Sequence, residues 1–189
     1  MSTVLHRLGA LGATYNDPVA AIDWSKSEPD QPWLPPDLLS LAGLGLQADM
    51  PRDVLLRLSQ VEFARLCAAG LWLEGLLIGR VAATGFLAAE TDETRVMLQE
   101  VREESGHGLM FLEMIERAGL SGVPLLGPTR LLTEIAQRLD PKGPAFWAMV
   151  YIGESVTDTY ALKALKASGT EEICPVARQV LYLNHRDAA

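Results

Sequence analysis

Apolar residues recur every three or four positions along most of this chain, and helix breakers divide the pattern into a few long segments. This spacing is typical of amphipathic helices, because buried strands would show a period of two. Capping residues and prolines mark the ends of the segments. The predicted helices span 51–83, from 91 to the glycine at 119, 129–139, 144–168 and 175–186, with a short extra helix over 36–46. The pattern predicts an all-α fold.

The proline-rich stretch 1–50 shows little sustained periodicity, so we expect an irregular segment there that packs on a helical bundle formed by 51–189. The length suits one domain. At about 1.5 Å per residue, the first long helix covers about 46 Å and residues 175–189 only about 22 Å. We therefore expect the fourth core helix to be truncated.

Composition excludes several classes of partner and compartment. Lys+Arg number 16 against Asp+Glu 24, a net charge of −8, which disfavours nucleic acid and anionic membranes. Cys67 and Cys174 show neither CxxC spacing nor a secretory context, and we find no signal peptide, so a cytoplasmic location with free thiols is expected. The apolar stretch 66–89 contains Glu74 and Arg80 and is interpreted as a core helix, not a membrane span.

Three predicted helices each place a carboxylate on an apolar face. Glu104 interrupts the apolar stripe of the second long helix, and His107 follows it by three residues on the same side. Glu74 has apolar neighbours all around it, and Glu154 continues an apolar stripe of the third long helix. Ionisable groups facing a core cost several kcal/mol when unpaired. They could bond each other or a neighbour, or they could share a metal ion.

The spacing of Glu74 and Glu104 favours a shared metal ion. A hairpin turning near 84–91 puts Glu74 about 14 residues before its centre and Glu104 about 16 after it, in one layer. Ferritin-like di-iron bundles use one Glu from each of two helices and Glu-x-x-His from each of the other two. Oxygen and imidazole ligands suit iron, with manganese as an alternative. Glu62 lies too far along the helix for this layer and is interpreted as an outer contact or a surface residue. Asp158 is interpreted as an outer hydrogen-bond partner of a ligand or as a solvated residue.

Five blocks of the sequence resemble, in order, those of the p-aminobenzoate N-oxygenase-like di-iron oxygenases. They are AIDW at 21–24, LSQVE at 58–62, GLWLE at 70–74, EESGH at 103–107 and GE at 153–154 followed by Asp158-Thr159. The resemblance implies iron ligands at Glu74, Glu104, His107 and Glu154. It also implies two iron ions, O2 as co-substrate, an electron donor, and oxidation of a small organic substrate, such as an amine, to a hydroxylamine or nitro product. We further expect a homodimer.

The chain departs from the family pattern at its end. The family has a histidine, a glutamate four residues later and a second histidine three beyond that, whereas this chain ends LNHRDAA. Either Asn184 or His185 takes the first histidine's place, which puts Ala188 or Ala189 at the glutamate position. We take His185 as the fifth candidate ligand. The alternatives are a truncated or catalytically impaired bundle protein that binds one metal or none and associates with a partner chain, and a haem-binding bundle with His107 as axial ligand.

Overall fold

The computed structural model describes residues 15–45, 49–83, 91–125, 130–140, 143–167 and 173–188. Within these ranges the chain forms six α-helices and no strand. They are α1 (Pro18–Ala21), α2 (Arg52–Ala83), α3 (Thr91–Arg117), α4 (Arg130–Arg138), α5 (Pro144–Ala167) and α6 (Pro175–Ala188). The all-α prediction is confirmed. The predicted helix start at 129 and end at 168 lie outside the described residues.

The long helices form a bundle consistent with the predicted ferritin-like arrangement. The most extensive pairing joins α2 to α3, and α6 packs on α5, which also contacts α2. Gly70 of α2 lies against Phe111 of α3, and Gly153 of α5 lies against Leu73 of α2. Farther along α2, Leu77 shares a buried cluster with Val150 of α5, which precedes Gly153. Arg57, near the start of α2, donates to the Ala118 carbonyl just after the end of α3 at 2.7 Å. Both α3 and α5 therefore run antiparallel to α2.

Helix α3 ends as its glycine predicts. The Gly119 N–H donates to the Glu116 carbonyl at 2.8 Å, and the Leu120 N–H donates to the Ile115 carbonyl at 3.1 Å. Gly119 has a φ of 64°, the left-handed conformation that this Schellman-type end requires. Ile115 and Leu120 are both buried. This end therefore both satisfies carbonyls of the last turn and anchors the chain that follows.

The described part of the segment before α2 contains helix α1 and short 3-10 turns, and the predicted short helix over 36–46 is wrong. Two 3-10 turns, Pro36–Leu38 and Ala42–Leu44, stand there, and Leu39 between them is extended. The Ser40 N–H donates to the Glu62 carboxylate at 2.9 Å, and the Ser40 hydroxyl bonds the same group. The carboxylate thus binds groups that a helix would have needed. Residue 46 lies outside the described residues.

This segment nevertheless joins the main core. Trp33 is 2% exposed and packs edge-on against Phe63 of α2, with ring centroids 5.8 Å apart. The Cys174 N–H donates to the Pro32 carbonyl at 2.8 Å, which ties the segment to the start of α6. Cys67 and Cys174 are both buried free thiols, as predicted.

Helix α2 is long and apolar enough to cross a membrane by length and composition. Such a helix is weak evidence for a span, because the core helix of a bundle passes the same test. Eleven of its residues are buried, and it contacts α3, α4 and α5. These contacts agree with its interpretation as a core helix.

Two glycines of α2 give a matched test of the α2–α3 contact. A Cβ at Gly70 would lie 2.5 Å from the Phe111 ring, whereas a Cβ at Gly79 would meet nothing within 4 Å. We expect Gly70→Ala to lower the free energy of unfolding by about 1–3 kcal/mol through overpacking. Gly79→Ala should raise it by about 0.5–1 kcal/mol, because alanine favours the helix. Urea titrations of both variants measure the difference, and equal effects would contradict the close contact.

Candidate metal centre

Glu74 is a buried carboxylate in the middle of α2. Its side chain is 4% exposed, and its Oε2 atom has no hydrogen-bond partner among the described residues. Burial, together with the neighbouring Glu104 and Glu154 carboxylates, raises its pKa to about 11. A carboxyl group in this setting is either protonated at neutral pH or bound to a cation.

Glu104 and His107 face Glu74 from α3. His107 Nδ1 lies 3.1 Å from Glu104 Oε2, and both side chains are mostly buried. Donor atoms of Glu74, Glu104 and His107 all lie within 4.8 Å of one another. A helix places residues three apart on the same face, and the antiparallel pairing of α2 and α3 brings that face onto Glu74. The structure therefore brings three predicted site residues together.

Glu154 of α5 completes the group of inward carboxylates. Burial is the main cause that raises its pKa, the Glu104 carboxylate raises it further, and His107 opposes this effect. Glu104, His107 and Glu154 line one cleft with a volume of about 310 Å³. This size suits a small organic ligand.

His185 lies outside that three-residue group. Its Nδ1 is hydrogen-bonded to the Asp158 carboxylate, one helical turn beyond Glu154 on α5. Asn184, its neighbour on α6, lines the cleft instead. A histidine held at Nδ1 by a carboxylate keeps its tautomer and ring orientation fixed, which is common for metal ligands that bind through Nε2. Ala188 belongs to α6, and Ala189 lies outside the described residues.

Sequence reasoning missed the aromatic walls of the cleft. Trp147 and Tyr151 are 47% and 74% exposed and line the cleft beside Glu154. They precede Glu154 by seven and three residues, a spacing that puts all three on one side of a helix. That spacing was the available signal. Asn184 carried no comparable signal.

The donor set fits a hard or borderline metal ion. Carboxylate oxygens and one imidazole are what iron and manganese accept, and the orphaned Glu74 oxygen supplies an acceptor that no proton donor uses. Glu62 binds Ser40 and lies twelve residues before Glu74 on α2. It therefore takes no part in this cluster.

A family model described as p-aminobenzoate N-oxygenase AurF matches residues 2–187. The chain belongs to this family. No curated protein and no solved structure shows significant similarity to it. The p-aminobenzoate N-oxygenase family depends on two iron ions and dioxygen, and the group formed by Glu74, Glu104 and His107 is a candidate site for such a metal in this member.

Proposed function

We propose that this chain is a non-haem di-iron oxygenase that oxidises a small organic substrate, with N-oxygenation of an arylamine as the reaction suggested by the family. The observation that carries the proposal is the group formed by Glu74, Glu104 and His107 around a buried carboxylate oxygen that no hydrogen bond satisfies. Burial of such groups is costly unless a cation or a proton compensates it.

In this proposal Glu74, Glu104 and His107 hold one iron, and Glu154 and His185 contribute to the second. The bound irons would supply dioxygen activation and transfer of oxygen to the substrate. Asp158 would orient His185 through its Nδ1 hydrogen bond. Manganese could occupy the same donors, since it accepts similar ligands.

The cleft residues would bind and position the substrate. Trp147 and Tyr151 offer flat aromatic faces, and Leu77 and Val150 add an apolar wall. An aromatic ring packed among them would exclude water from the Glu104 side of the cleft and point its amine toward the carboxylates. Glu100 also lines the cleft and could accept a hydrogen bond from an N–H group of the substrate.

The remaining partners follow from the chemistry and stay predictions. Dioxygen and an external electron donor are required for turnover, and a cytoplasmic location agrees with the free thiols. The outer face of α5 exposes Ile152 and Val156, at 62% and 64%, which agrees with the expected homodimer. It agrees equally with association with another partner chain.

Iron content is the deciding measurement. After anaerobic reconstitution with ferrous iron and gel filtration, elemental analysis should give about two irons per chain. Admitting oxygen should change the optical spectrum, and mass spectrometry should detect hydroxylamine or nitro products from an arylamine panel that includes p-aminobenzoate. Glu104→Gln should lose iron and product formation together, because it removes a negative charge from the cluster.

The matched control is Glu116→Gln, which alters an exposed carboxylate on the same helix and should keep the iron. A folded wild-type chain that takes up no iron would refute the proposal and favour the impaired bundle protein. A Soret band on adding haem would favour the haem alternative instead.

A further inference from the structure

A second, smaller cavity lies inside the bundle next to the candidate metal centre. Its volume is about 20 Å³, room for one small molecule. Its walls are mainly apolar and come from α2, α3, α5 and α6; they include Phe63, Cys67, Phe111, Ala161, Val180 and Leu181. The cavity is too small for an organic substrate, which has the larger cleft available.

The cavity lies one helical turn from the ligand layer on each of three helices. Gly70 of α2 lines it and precedes Glu74 by four residues. Phe111 of α3 follows His107 by four residues, and Thr157 of α5 follows Glu154 by three. Each step is about 4.5–6 Å along a helix. The three steps lead in the same direction, because α3 and α5 both run antiparallel to α2.

Asn184 of α6 connects the two spaces. It lines the small cavity and also the cleft that contains Glu104, His107 and Glu154. Val180 and Leu181, one turn before Asn184 on the same helix, form part of the cavity wall. The Asn184 side chain is therefore part of the wall of both spaces.

The cavity offers few partners to a water molecule. A buried water typically makes about three hydrogen bonds. The Thr157 hydroxyl already donates to its own helix, with the Glu154 carbonyl 3.0 Å away. The Cys67 thiol is 1% exposed and is only a weak donor. This leaves Asn184 as the one strong donor and acceptor among the described lining residues, so the space favours an apolar occupant.

We propose that this cavity binds molecular oxygen and holds it beside the metal centre, separately from the organic substrate in the cleft. The inference rests on the proposed function for the identity of the gas, but the cavity itself can be tested without iron. Dioxygen is small and apolar, and a dry apolar space accepts such molecules without loss of hydrogen bonds. Asn184 borders both this cavity and the cleft at the candidate metal centre.

Xenon is the probe, because it binds in small apolar cavities and is easily located. Crystals of the metal-free chain under xenon pressure should show a xenon atom among Phe111, Ala161 and Val180. Ala161→Val adds two methyl groups to the wall and should remove it. Val180→Ala enlarges the cavity and should increase the xenon occupancy. Val176→Ala, a buried valine one turn earlier on α6 that does not line the cavity, should leave this xenon atom in place.

The second readout is oxygen dependence of the iron-loaded protein. Stopped-flow measurement of ferrous iron oxidation at several O2 concentrations should show a several-fold lower second-order rate constant in Ala161→Val, with iron content and the circular dichroism spectrum unchanged. If Ala161→Val does not fold, Val180→Ala should still increase xenon occupancy and alter the oxidation rate, whereas Val176→Ala should not alter it.

An ordered, hydrogen-bonded water in place of xenon would overturn the proposal. Xenon binding without any change in oxygen dependence would overturn the role of the cavity in oxygen supply. A chain that takes up xenon but no iron would refute the proposed function and with it the use of the gas. Because the xenon experiment needs no iron, the two failures are distinguishable.

Discussion

Replacing Glu74 by glutamine is expected to abolish tight iron binding and to stabilise the metal-free protein above neutral pH. Iron binding requires an ionised carboxylate, and glutamine keeps the shape of the side chain without the charge. In the absence of metal Glu74 must take up a proton on folding, because it is buried beside Glu104 and Glu154 and its pKa is about 11.

The sign of the pH effect follows from this raised pKa. The unperturbed pKa is 4.5, so between about 4.5 and about 11 the folded state binds more protons than the unfolded state. The free energy of unfolding of the metal-free wild type therefore falls as the pH rises through this window. Stability from this group is fully present below pH 4.5. At pH 8 the Glu74→Gln variant should be more stable by on the order of 3 kcal/mol.

Thermal and urea unfolding from pH 5 to pH 9, with and without ferrous iron, measure both effects. Wild type should gain stability from iron, about 4 kcal/mol at a thousandfold excess over the dissociation constant, and the variant should gain little. Glu116→Gln, on the exposed side of α3, is the matched control and should keep both the pH dependence and the response to iron. A metal-free Glu74→Gln that is less stable than wild type at pH 8 would contradict the raised pKa of Glu74.

The long helices could be predicted from the sequence because their periodicity is set by burial on one face. The ends of α2, α3 and α6 lie within about two residues of the predicted positions, as expected for caps and glycines that act locally. The prediction of a helix over 36–46 failed because Glu62, which is distant in sequence, binds the Ser40 N–H and hydroxyl. Local propensity contains no information about such a contact.

The candidate site also combines residues that could be predicted from the sequence with a feature that could not. Glu74 could be found because no rotation of α2 gives it a polar face, and Glu104 with His107 because a helix puts residues three apart together. Whether Asn184 or His185 faces the cleft depends on the rotation of α6. Packing of Val176, Val180 and other α6 residues sets that rotation in three dimensions, and the sequence left both registers open.

Comparison of the two histidine variants should show how the irons are divided between the helices. His107→Ala removes a donor from the group proposed to hold the first iron, and His185→Ala removes the donor proposed for the second. We expect His185→Ala to lower the iron content from about two to about one per chain, because loss of a ligand weakens one ion far more than its neighbour. His107→Ala should lose the first iron and keep the second, because Glu154 and His185 stay in place.

Asp158→Asn tests whether His185 is an iron ligand or only helps α6 to pack on α5. If Asp158 orients the His185 ring, the substitution should weaken binding of the second iron by about 10–100-fold and leave binding of the first unchanged. Anaerobic titration with ferrous iron, followed by Mössbauer spectroscopy of the loaded protein, distinguishes one site from two. Asn184→Ala is the control, since it alters the neighbouring cleft residue without removing a proposed ligand. Full iron content in His185→Ala would exclude His185 as a ligand and assign its contact with Asp158 to the packing of α6 on α5.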